Sequence, residues 1–422
     1  MPSATTERGK DQPTPKPAHL VLIVSSVIAL CILGDSLMYS ILPLEAANLG
    51  ISLPLVGVLL SANRLVRLLS NSWSSAAFER WGARTPFIAA TLLGLLSTLL
   101  YGAGWGFTLF LGARLLWGIA WSALRQGGYE AVWHGGSAIK GRLTGLLWGV
   151  VRLGSALSVL GGGLLYDRFG YTTTLLVITS VTALALPLAL LIRWPASAFL
   201  PHVATTAAVP QGAVTRQRRW QEWWRALHHA RARWLIIAAA LQFYLSGIVV
   251  STTSIFLADR LQQSTDSVLF GLGIGSITGI LQGVRWLSDI TFGPTIGRIS
   301  DRIGQTTMAL ILVTMSFNAI LGLTSLNAIS LVLPCLFIYF LCDSGMNVTL
   351  SAAASGVALE QERPHAFIGL YTTATDLGSA LGPLLAFSLG RLLGLPFTYT
   401  ITALLVLLAL LRYRQIAPSH KK

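Results

Sequence analysis

Charged residues are scarce in this sequence, at 11% of its 422 positions, and only 16 residues are acidic. Soluble domains carry about 25% charged residues, so the composition excludes an ordinary water-soluble protein. Cysteine is scarcer still, because only Cys31, Cys335 and Cys342 occur, all within apolar stretches and without paired spacing. The sequence therefore predicts neither a disulfide framework nor a metal site, and it indicates no cofactor.

Sequence patterns for three common soluble functions are also absent. The formal net charge of +14 does not indicate nucleic-acid binding, because the arginines lie mainly in short loops between apolar runs. No phosphate-binding P-loop is present, which disfavours direct use of ATP. No Ser/His/acid or metal-ligand constellation indicates an enzyme.

What the sequence does contain is a series of long apolar runs. Hydrophobic residues make up 53% of the chain, and the mean hydropathy is +0.66. About twelve runs have the roughly 20 residues that a helix needs to cross a bilayer. They begin near His19, Leu53, Thr85, Phe107, Gly141, Tyr171, Trp234, Val268, Thr306, Asn327, Ala366 and Pro396. We predict an all-α, multi-pass membrane protein, and the first run is too long for a cleaved signal peptide.

The runs fall into two groups of six. We predict a six-helix bundle at residues 19–194 and another at 234–414, with a disordered tail at 1–18, a linker at 195–233 and a second tail at 415–422. Within the linker, residues 216–233 mix tryptophans with arginines, which is typical of an amphipathic helix lying on anionic lipid headgroups. A specific lipid or partner site is the alternative for this segment.

The distribution of Lys and Arg predicts the orientation. Cytoplasmic loops of membrane proteins carry an excess of Lys and Arg, and about 21 of these residues fall on the side that holds the termini and the linker. The other side has only Arg168, Arg260 and Arg391. We therefore expect both termini in the cytoplasm and the protein in a bacterial inner membrane.

The chain repeats itself at half its length. The loop Gly297-Arg298-Ile299-Ser300-Asp301-Arg302-Ile303-Gly304 has an echo about 222 residues earlier, at Glu79-Arg80-Trp81-Gly82-Ala83-Arg84. At nearly the same offset, Leu153-Gly154-Ser155-Ala156-Leu157 recurs as Leu377-Gly378-Ser379-Ala380-Leu381. Such self-similarity predicts two bundles related by a pseudo-twofold axis.

Twelve spans in two repeats, with an acid-Arg-x-Gly loop after the second helix of each half, resemble the major facilitator superfamily. The family signature Gly-x-x-x-Asp-Arg-x-Gly is intact at Gly297, Asp301, Arg302 and Gly304. A degenerate copy without the first glycine stands at Glu79, Arg80, Gly82 and Arg84. The resemblance implies a conformational latch, in which the acid caps a facing helix N-terminus. The alternative is a solvated turn.

Two further segments resemble motifs of the same superfamily. Arg114-Leu115-Leu116-Trp117-Gly118 resembles an Arg-x-x-x-Gly motif that is linked to proton coupling, with Trp117 in place of a polar residue. The antiporter motif of the fifth span is matched only in part, because its proline is missing. Its mirror in the eleventh span keeps Gly378, Gly382 and Pro383. The resemblance therefore favours an antiporter only modestly over a symporter.

Small residues at every fourth position indicate where helices touch. Gly271, Gly275, Gly279 and Gly283 share one face of the eighth span, and Gly154, Ser158 and Gly162 share one of the fifth. We expect these faces where the two halves rock against each other, or alternatively in static packing within one half.

Ten charged residues lie within the apolar runs: Asp35, Arg64, Arg67, Arg114, Arg125, Arg152, Arg285, Asp289, Asp343 and Asp376. Each costs roughly 2.5–3.5 kcal/mol at a helix centre unless it is paired or hydrated. We therefore predict a wet, charged central cavity. For some residues a structural role is the alternative: Arg285 and Asp289, four apart, could neutralise each other, and Arg125 and Asp343 could lie near helix ends.

The charges suggest the type of solute. Asp35 stands alone in its span and resembles the acid of drug/proton antiporters, so it could exchange a proton or form a packing hydrogen bond. Arg64 and Arg67, three apart on one face, and Arg152 outnumber the acids of the first half, which suits an anionic solute. We predict a monomeric, proton-coupled exporter of a small organic anion that works by alternating access. The alternatives are a cation or multidrug exporter that uses Asp35, and a non-transporting membrane sensor or assembly protein.

The repeat places opposite charges at equivalent positions. Arg152 of the fifth span aligns with Asp376 of the eleventh, and Arg67 aligns with Asp289. We hypothesise that Arg152 holds the anionic group of the solute and that Asp376 carries the proton. A structural ion pair between the halves is the competing account.

Overall fold

The computed structural model describes residues 17–134, 139–195, 227–263, 271–361 and 364–416, which are mainly helical. The predicted tails lie outside these ranges almost entirely, and so do residues 216–226 of the predicted linker helix. In chain order the helices are α1 (Pro17–Cys31), α2 (Leu33–Glu45), α3 (Leu53–Trp81), α4 (Arg84–Ala103), α5 (Gly106–Trp133), α6 (Lys140–Ala183), α7 (Ala185–Leu190), α8 (Ala230–Gln263), α9 (Ile274–Thr291), α10 (Gly293–Ile303), α11 (Gln305–Ser325), α12 (Ile329–Leu359), α13 (Pro364–Leu393) and α14 (Leu395–Ile416).

Glycines with positive φ form equivalent turns in the two halves. Gly82 ends α3 with φ 68°, and Gly304 ends α10 with φ 90°. Residues with a side chain rarely enter this region, so the turn itself accounts for the last glycine of each loop motif. Gly170, with φ 76°, interrupts α6 in the same way. The segment formed by α6 and α7 therefore contains two spans.

Nine segments of the described chain are long and apolar enough to cross a bilayer. One of them, Pro17–Glu45, joins α1 and α2, and the 49-residue segment Arg142–Leu190 holds the two spans that meet at Gly170. With α9 and α10 as one further span and α13 as another, the chain forms two six-helix bundles, which confirms the predicted fold. An even number of spans places Pro17 and Ile416 on the same side. We call it the terminal side and the opposite one the far side.

The most extensive contacts between the bundles are two helix crossings, in which α6 packs along α9 and α3 packs along α13, and α2 also contacts α8 and α9. At the first crossing, a Cβ on Gly279 would overlap the carbonyl oxygen of Val159, and one on Gly275 would lie 2.7 Å from the Tyr166 ring. Gly283 faces Leu160 in the same way. Close approach matters here because helices in lipid associate through packing rather than through burial from water. The small-residue face of α9 thus lies between the halves.

The small residues on the corresponding faces of α6 and α13 pack within one half. Gly154, Ser158 and Gly162 of α6 face α1 and α2, and the Ser158 hydroxyl donates to a carbonyl of α2 at 2.5 Å. Gly378 and Gly382 of α13 face α8. For these positions the geometry corresponds to static packing, the alternative reading of the sequence.

Two other residues that were predicted to pack between helices have different surroundings. Gly271 does not belong to the α9 face, because it precedes the helix and has φ 73°, which is not helical. Pro383 lies at the α3–α13 crossing, where a Cβ on Gly57 would come within 2.6 Å of its carbonyl oxygen.

Candidate functional site: a charged cavity between the halves

A cavity of about 660 Å³ lies between the two bundles. Eight of the ten charged residues predicted to lie in the membrane line it: Asp35, Arg64, Arg67, Arg125, Arg152, Arg285, Asp289 and Asp376. The other two, Arg114 and Asp343, are fully buried behind its wall. The cavity extends toward the terminal side, because it also touches Tyr129 near the end of α5 and Gly145 near the start of α6.

Asp35 is not a lone acid. Its Oδ1 lies 2.5 Å from Nη1 of Arg114 and accepts a hydrogen bond from Asn63 at 3.0 Å. Arg114 also donates through Nε to the carbonyl oxygen of Leu59 at 2.9 Å. A fully buried guanidinium requires a counter-charge, which explains why Asp35 is held here. The two residues are 79 positions apart in sequence, so no local pattern links them.

Arg285 pairs with Asp343 rather than with Asp289. Its Nε lies 2.6 Å from Oδ2 of Asp343. The same carboxylate accepts a hydrogen bond from Gln242 at Oδ1 and one from Ser246 at Oδ2, each at 3.0 Å. The alternative that Asp343 lies near a helix end does not hold, because the residue is buried within the interior of α12. The alternative that Arg285 and Asp289 neutralise each other does not hold either, because each residue has a different partner within ion-pair distance.

Asp289 joins the two halves. Its Oδ2 lies 3.2 Å from Nε of Arg152, and Ser344 donates to its Oδ1. The guanidinium carbons of Arg152 and Arg285 lie 4.6 and 4.5 Å from the centre of the Trp286 ring. In this conformation the acid within ion-pair distance of Arg152 is therefore Asp289 and not Asp376.

Asp376 faces a different arginine. It lies on α13, which packs along α3, and it lines the same cavity as Arg67 of α3. The pseudo-twofold axis exchanges α3 with α9 and α6 with α13. Arg67 and Asp376 therefore occupy the positions equivalent to Asp289 and Arg152 with their signs reversed, but only Arg152 and Asp289 lie within ion-pair distance in the described chain. The sequence alignment placed these residues correctly by position but did not show which of them face each other.

Three of the arginines that line the cavity have no carboxylate within 4 Å among the described residues: Arg64, Arg67 and Arg125. Arg64 donates through Nε to the Tyr39 hydroxyl at 3.2 Å, and Arg67 donates to the carbonyl oxygen of Asn63 at 3.1 Å. Arg125 donates to Oδ1 of Asn71 at 3.0 Å. These neutral partners orient the guanidinium groups and leave other N–H donors for a ligand.

Aromatic residues that the sequence reading left out form part of the cavity wall. Trp121 and Tyr129 of α5 and Trp148 of α6 line it, and the Trp148 ring centre lies 6.4 Å from that of Trp121 and 6.1 Å from that of Tyr129. Trp121, Arg125 and Tyr129 recur at intervals of four, which places them on one helix face. That spacing is the signal that could have revealed the wall.

Among the described residues, the predicted latch makes no hydrogen bond or ion pair across the halves. Glu79, Arg80, Asp301 and Arg302 are exposed on the terminal side. Arg80 lies over the ring of its neighbour Trp81, at 5.6 Å. Gly297 is half-buried, and Arg84 begins α4 at the surface.

The far side is closed by a contact that the sequence did not indicate. The carboxylate of Asp167, in α6, accepts hydrogen bonds from the backbone N–H groups of Gly275 and Ser276 at 3.0 and 2.6 Å. These donors belong to the first turn of α9, where unpaired N–H groups and the helix dipole favour an anion. Next to Asp167, Tyr166 donates to Glu45 at 2.8 Å. An acid of one half thus caps a helix of the other.

Two six-helix bundles around a shared charged cavity define the fold class of secondary membrane transporters. The chain belongs to the Major Facilitator Superfamily, whose sequence profile matches residues 24–294 and 276–422. It is a membrane transporter of this type.

Solved structures show the same fold at low sequence identity. The nucleoside transporter NupG superposes with a TM-score of 0.77 at 13% identity, covering 95% of this chain and 100% of that one. A bacterial homolog to the human lysosomal transporter Spinster, inward-facing and unoccupied, gives 0.75 at 13% identity, covering 96% and 98%. A POT family transporter in complex with 5-aminolevulinic acid gives 0.75 at 12% identity, covering 97% of each chain.

Among curated proteins, the chromaffin granule amine transporter of Rattus norvegicus is 27% identical over 142 residues. The matched segment covers 33% of this chain and 27% of that relative.

Proposed function

We propose that this transporter moves a small organic anion, coupled to protons, by alternating access, in the exporting antiporter mode that the sequence motifs indicate. The observation that carries the proposal is the surplus of arginine in the cavity. Five arginines and three acids line it. Asp35 is paired with the buried Arg114, Arg285 with the buried Asp343, and Arg152 with Asp289. The lining charges without an ion pair among the described residues are then three arginines, Arg64, Arg67 and Arg125, and one acid, Asp376. Guanidinium forks match the geometry of carboxylates, so this surplus favours an anion.

The geometry supports a different division of roles from the one that the repeat suggested. Arg152 forms an ion pair with Asp289 across the two halves, so we assign the anionic group of the solute to the cavity arginines without an ion pair, which are Arg64, Arg67 and Arg125. Asp376 remains the proton site, because it is the cavity acid without an ion pair within 4 Å among the described residues.

A proton on Asp376 would weaken its pull on Arg67 and leave that guanidinium to the solute. This linkage favours binding of proton and anion together, which makes proton–anion symport the second candidate mode. A cation exporter is a further candidate, because the matched rat relative is an amine transporter. Asp35 already forms an ion pair with Arg114, which argues against Asp35 as a free binding site for a cation.

Proteoliposomes that contain a pH dye test these assignments. We expect organic anions to drive proton flux and organic cations not to do so. Arg67→Gln should reduce the flux at least tenfold, whereas Arg412→Gln, on the surface of α14, should leave it unchanged. Counter-directed proton movement indicates antiport, and parallel movement indicates symport. Flux driven by cations alone would reject the anion assignment, and no flux with any solute would favour the sensor.

We also propose that the terminal side faces the cytoplasm of a bacterial cell, that the protein is a monomer and that lipids contact its outer surface. Under this assignment the cavity extends toward the cytoplasm. Reporter fusions at residues 18, 205 and 422 should all read cytoplasmic, and an external signal from one of them would overturn the orientation.

A further inference from the structure

The first half offers the cavity an aromatic surface as well as free arginines. We call Trp121, Tyr129 and Trp148 the aromatic wall. All three are half-buried and line the cavity. Aromatic rings favour offset or edge contacts with other rings at centroid distances of 4.5–7 Å, in addition to the gain from burial. A solute ring would find such faces here.

Two glycines provide room beside this wall. Gly145, Trp148 and Gly149 share one face of α6 by their spacing of three and four, and all line the cavity. A Cβ on Gly145 or on Gly149 would meet nothing within 4 Å. The missing side chains therefore leave a slot over the helix backbone next to the Trp148 ring.

Free positive charge lies beside the aromatic wall. The guanidinium carbon of Arg67 is 6.0 Å from the centre of the Trp121 ring. Arg125 lies between Trp121 and Tyr129 on the same face of α5, and its hydrogen-bond partner is the neutral Asn71. An aromatic surface and unpaired guanidinium groups are thus adjacent in one half of the cavity.

The second half lacks this combination. Trp286 lines its side of the cavity, but its ring already packs against both Arg152 and Arg285. Each of these arginines is in turn paired with an acid, Asp289 or Asp343. Phe243 also lines this side, but among the described residues no unpaired arginine of the second half lines the cavity beside it.

We propose that the first half forms a subsite for planar aromatic carboxylates, with the ring in the slot beside Trp148 and the carboxylate on Arg67 and Arg125. The inference rests on the proposed function, which it narrows from organic anions to aromatic ones. The cavity volume of about 660 Å³ accommodates a solute of one or two fused rings, since ligand sites of drug-sized molecules measure roughly 300–1,000 Å³.

Calorimetric binding to the purified full chain tests the subsite with three probes of similar size. The probes are 1-naphthoate, its saturated analogue decahydro-1-naphthoate, and 1-naphthylmethylamine. We expect 1-naphthoate to bind about five- to tenfold more tightly than the saturated acid, as one or two ring contacts would give, and the amine to bind weakest. Trp148→Leu should bring the two acids within about twofold of each other while both still bind more tightly than the amine.

Substitution of a slot glycine gives a second test, which does not depend on removing a tryptophan. Gly149→Leu fills the slot and should weaken binding of 1-naphthoate at least tenfold. Gly161→Leu is the matched control, because a Cβ there also meets nothing within 4 Å on the same helix but lies outside the cavity. Equal binding of both acids to the native chain, or unchanged binding by Gly149→Leu, overturns the aromatic subsite alone. Tightest binding of the amine overturns the anion assignment and the subsite together.

Discussion

The two ends of the interface between the halves differ. At the far end, Asp167 bonds to the first turn of α9, and the α6–α9 crossing is tight enough for backbone atoms to touch. At the terminal end, Asp301 and Arg302 are exposed and reach no partner on the other half within the described residues. In the described chain, hydrogen bonds join the halves at the far end, and the loop motif forms none across the halves at the terminal end. Alternating access requires such an asymmetry of any single conformation.

The difference teaches that sequence motif and observed contact need not coincide. The strongest loop signature lies at the end that is open, whereas the contact that closes the other end uses one acid and two backbone amides. Backbone donors at a helix start are available whatever residues stand there, so such a contact leaves little trace in sequence.

The largest effect on this asymmetry is expected from Gly279→Leu. The new side chain would overlap the Val159 carbonyl, and overpacking against backbone costs more than the roughly 1–3 kcal/mol typical of crowded cores. The far ends should separate. Electron-spin distances between labels at Phe169 and Ser325, which are exposed on the far side in different halves, should lengthen, whereas Gly161→Leu should leave them unchanged. An unchanged distance in Gly279→Leu would show that this crossing does not hold the far end.

A smaller effect is expected when the Arg152–Asp289 ion pair in the cavity is removed. Arg152→Gln and Asp289→Asn should each lower the stability of the present conformation, and the double variant should recover most of the loss. We expect a coupling of about 1 kcal/mol, because Arg152 is partly exposed. The corresponding cycle for Arg152 with Asp376 should show little coupling. Thermal melting in detergent measures both cycles, and a larger coupling to Asp376 would contradict the pairing described here.

Asp167→Asn should loosen the far end without unfolding it. The amide keeps the shape but loses the charge that favours the start of α9, an interaction of about 0.3–1 kcal/mol at an exposed site. The same spin labels should report a larger fraction of far-open molecules. Arg168→Gln is the neighbouring control and should have no effect. A population shift in the control equal to that in Asp167→Asn would assign the effect to surface charge in general.

Asp301→Asn should have the smallest effect on the present conformation, because the carboxylate contacts nothing across the halves here. The melting temperature of the variant should equal that of the native chain. If the loop latches the terminal end in the opposite conformation, transport should nevertheless fall strongly, because that conformation loses a contact. Native transport rates in this variant would reduce the loop to a solvated turn.

Several features could be predicted from the sequence because they follow from local chemistry. Long apolar runs define spanning helices, and the resemblance to the superfamily and the twelve-helix fold are confirmed. The need to hydrate or pair ten membrane charges predicted a cavity, and eight of the ten charged residues line one. The individual partners could not be predicted in this way. Asp35 and Asp343 are held by arginines far away in sequence, whereas Asp35 was expected to stand alone and a position near a helix end was an alternative for Asp343.

The sequence by itself determined the class of protein, the two halves and the surplus of positive charge, because hydropathy, repetition and residue counts do not depend on how helices face each other. Only the tertiary structure decided which acid meets which arginine, which end is closed and where aromatic rings adjoin free guanidinium groups. The reason is geometric, since a side chain of a membrane helix pairs across helices whose separation in sequence is large and whose rotation is set by close packing.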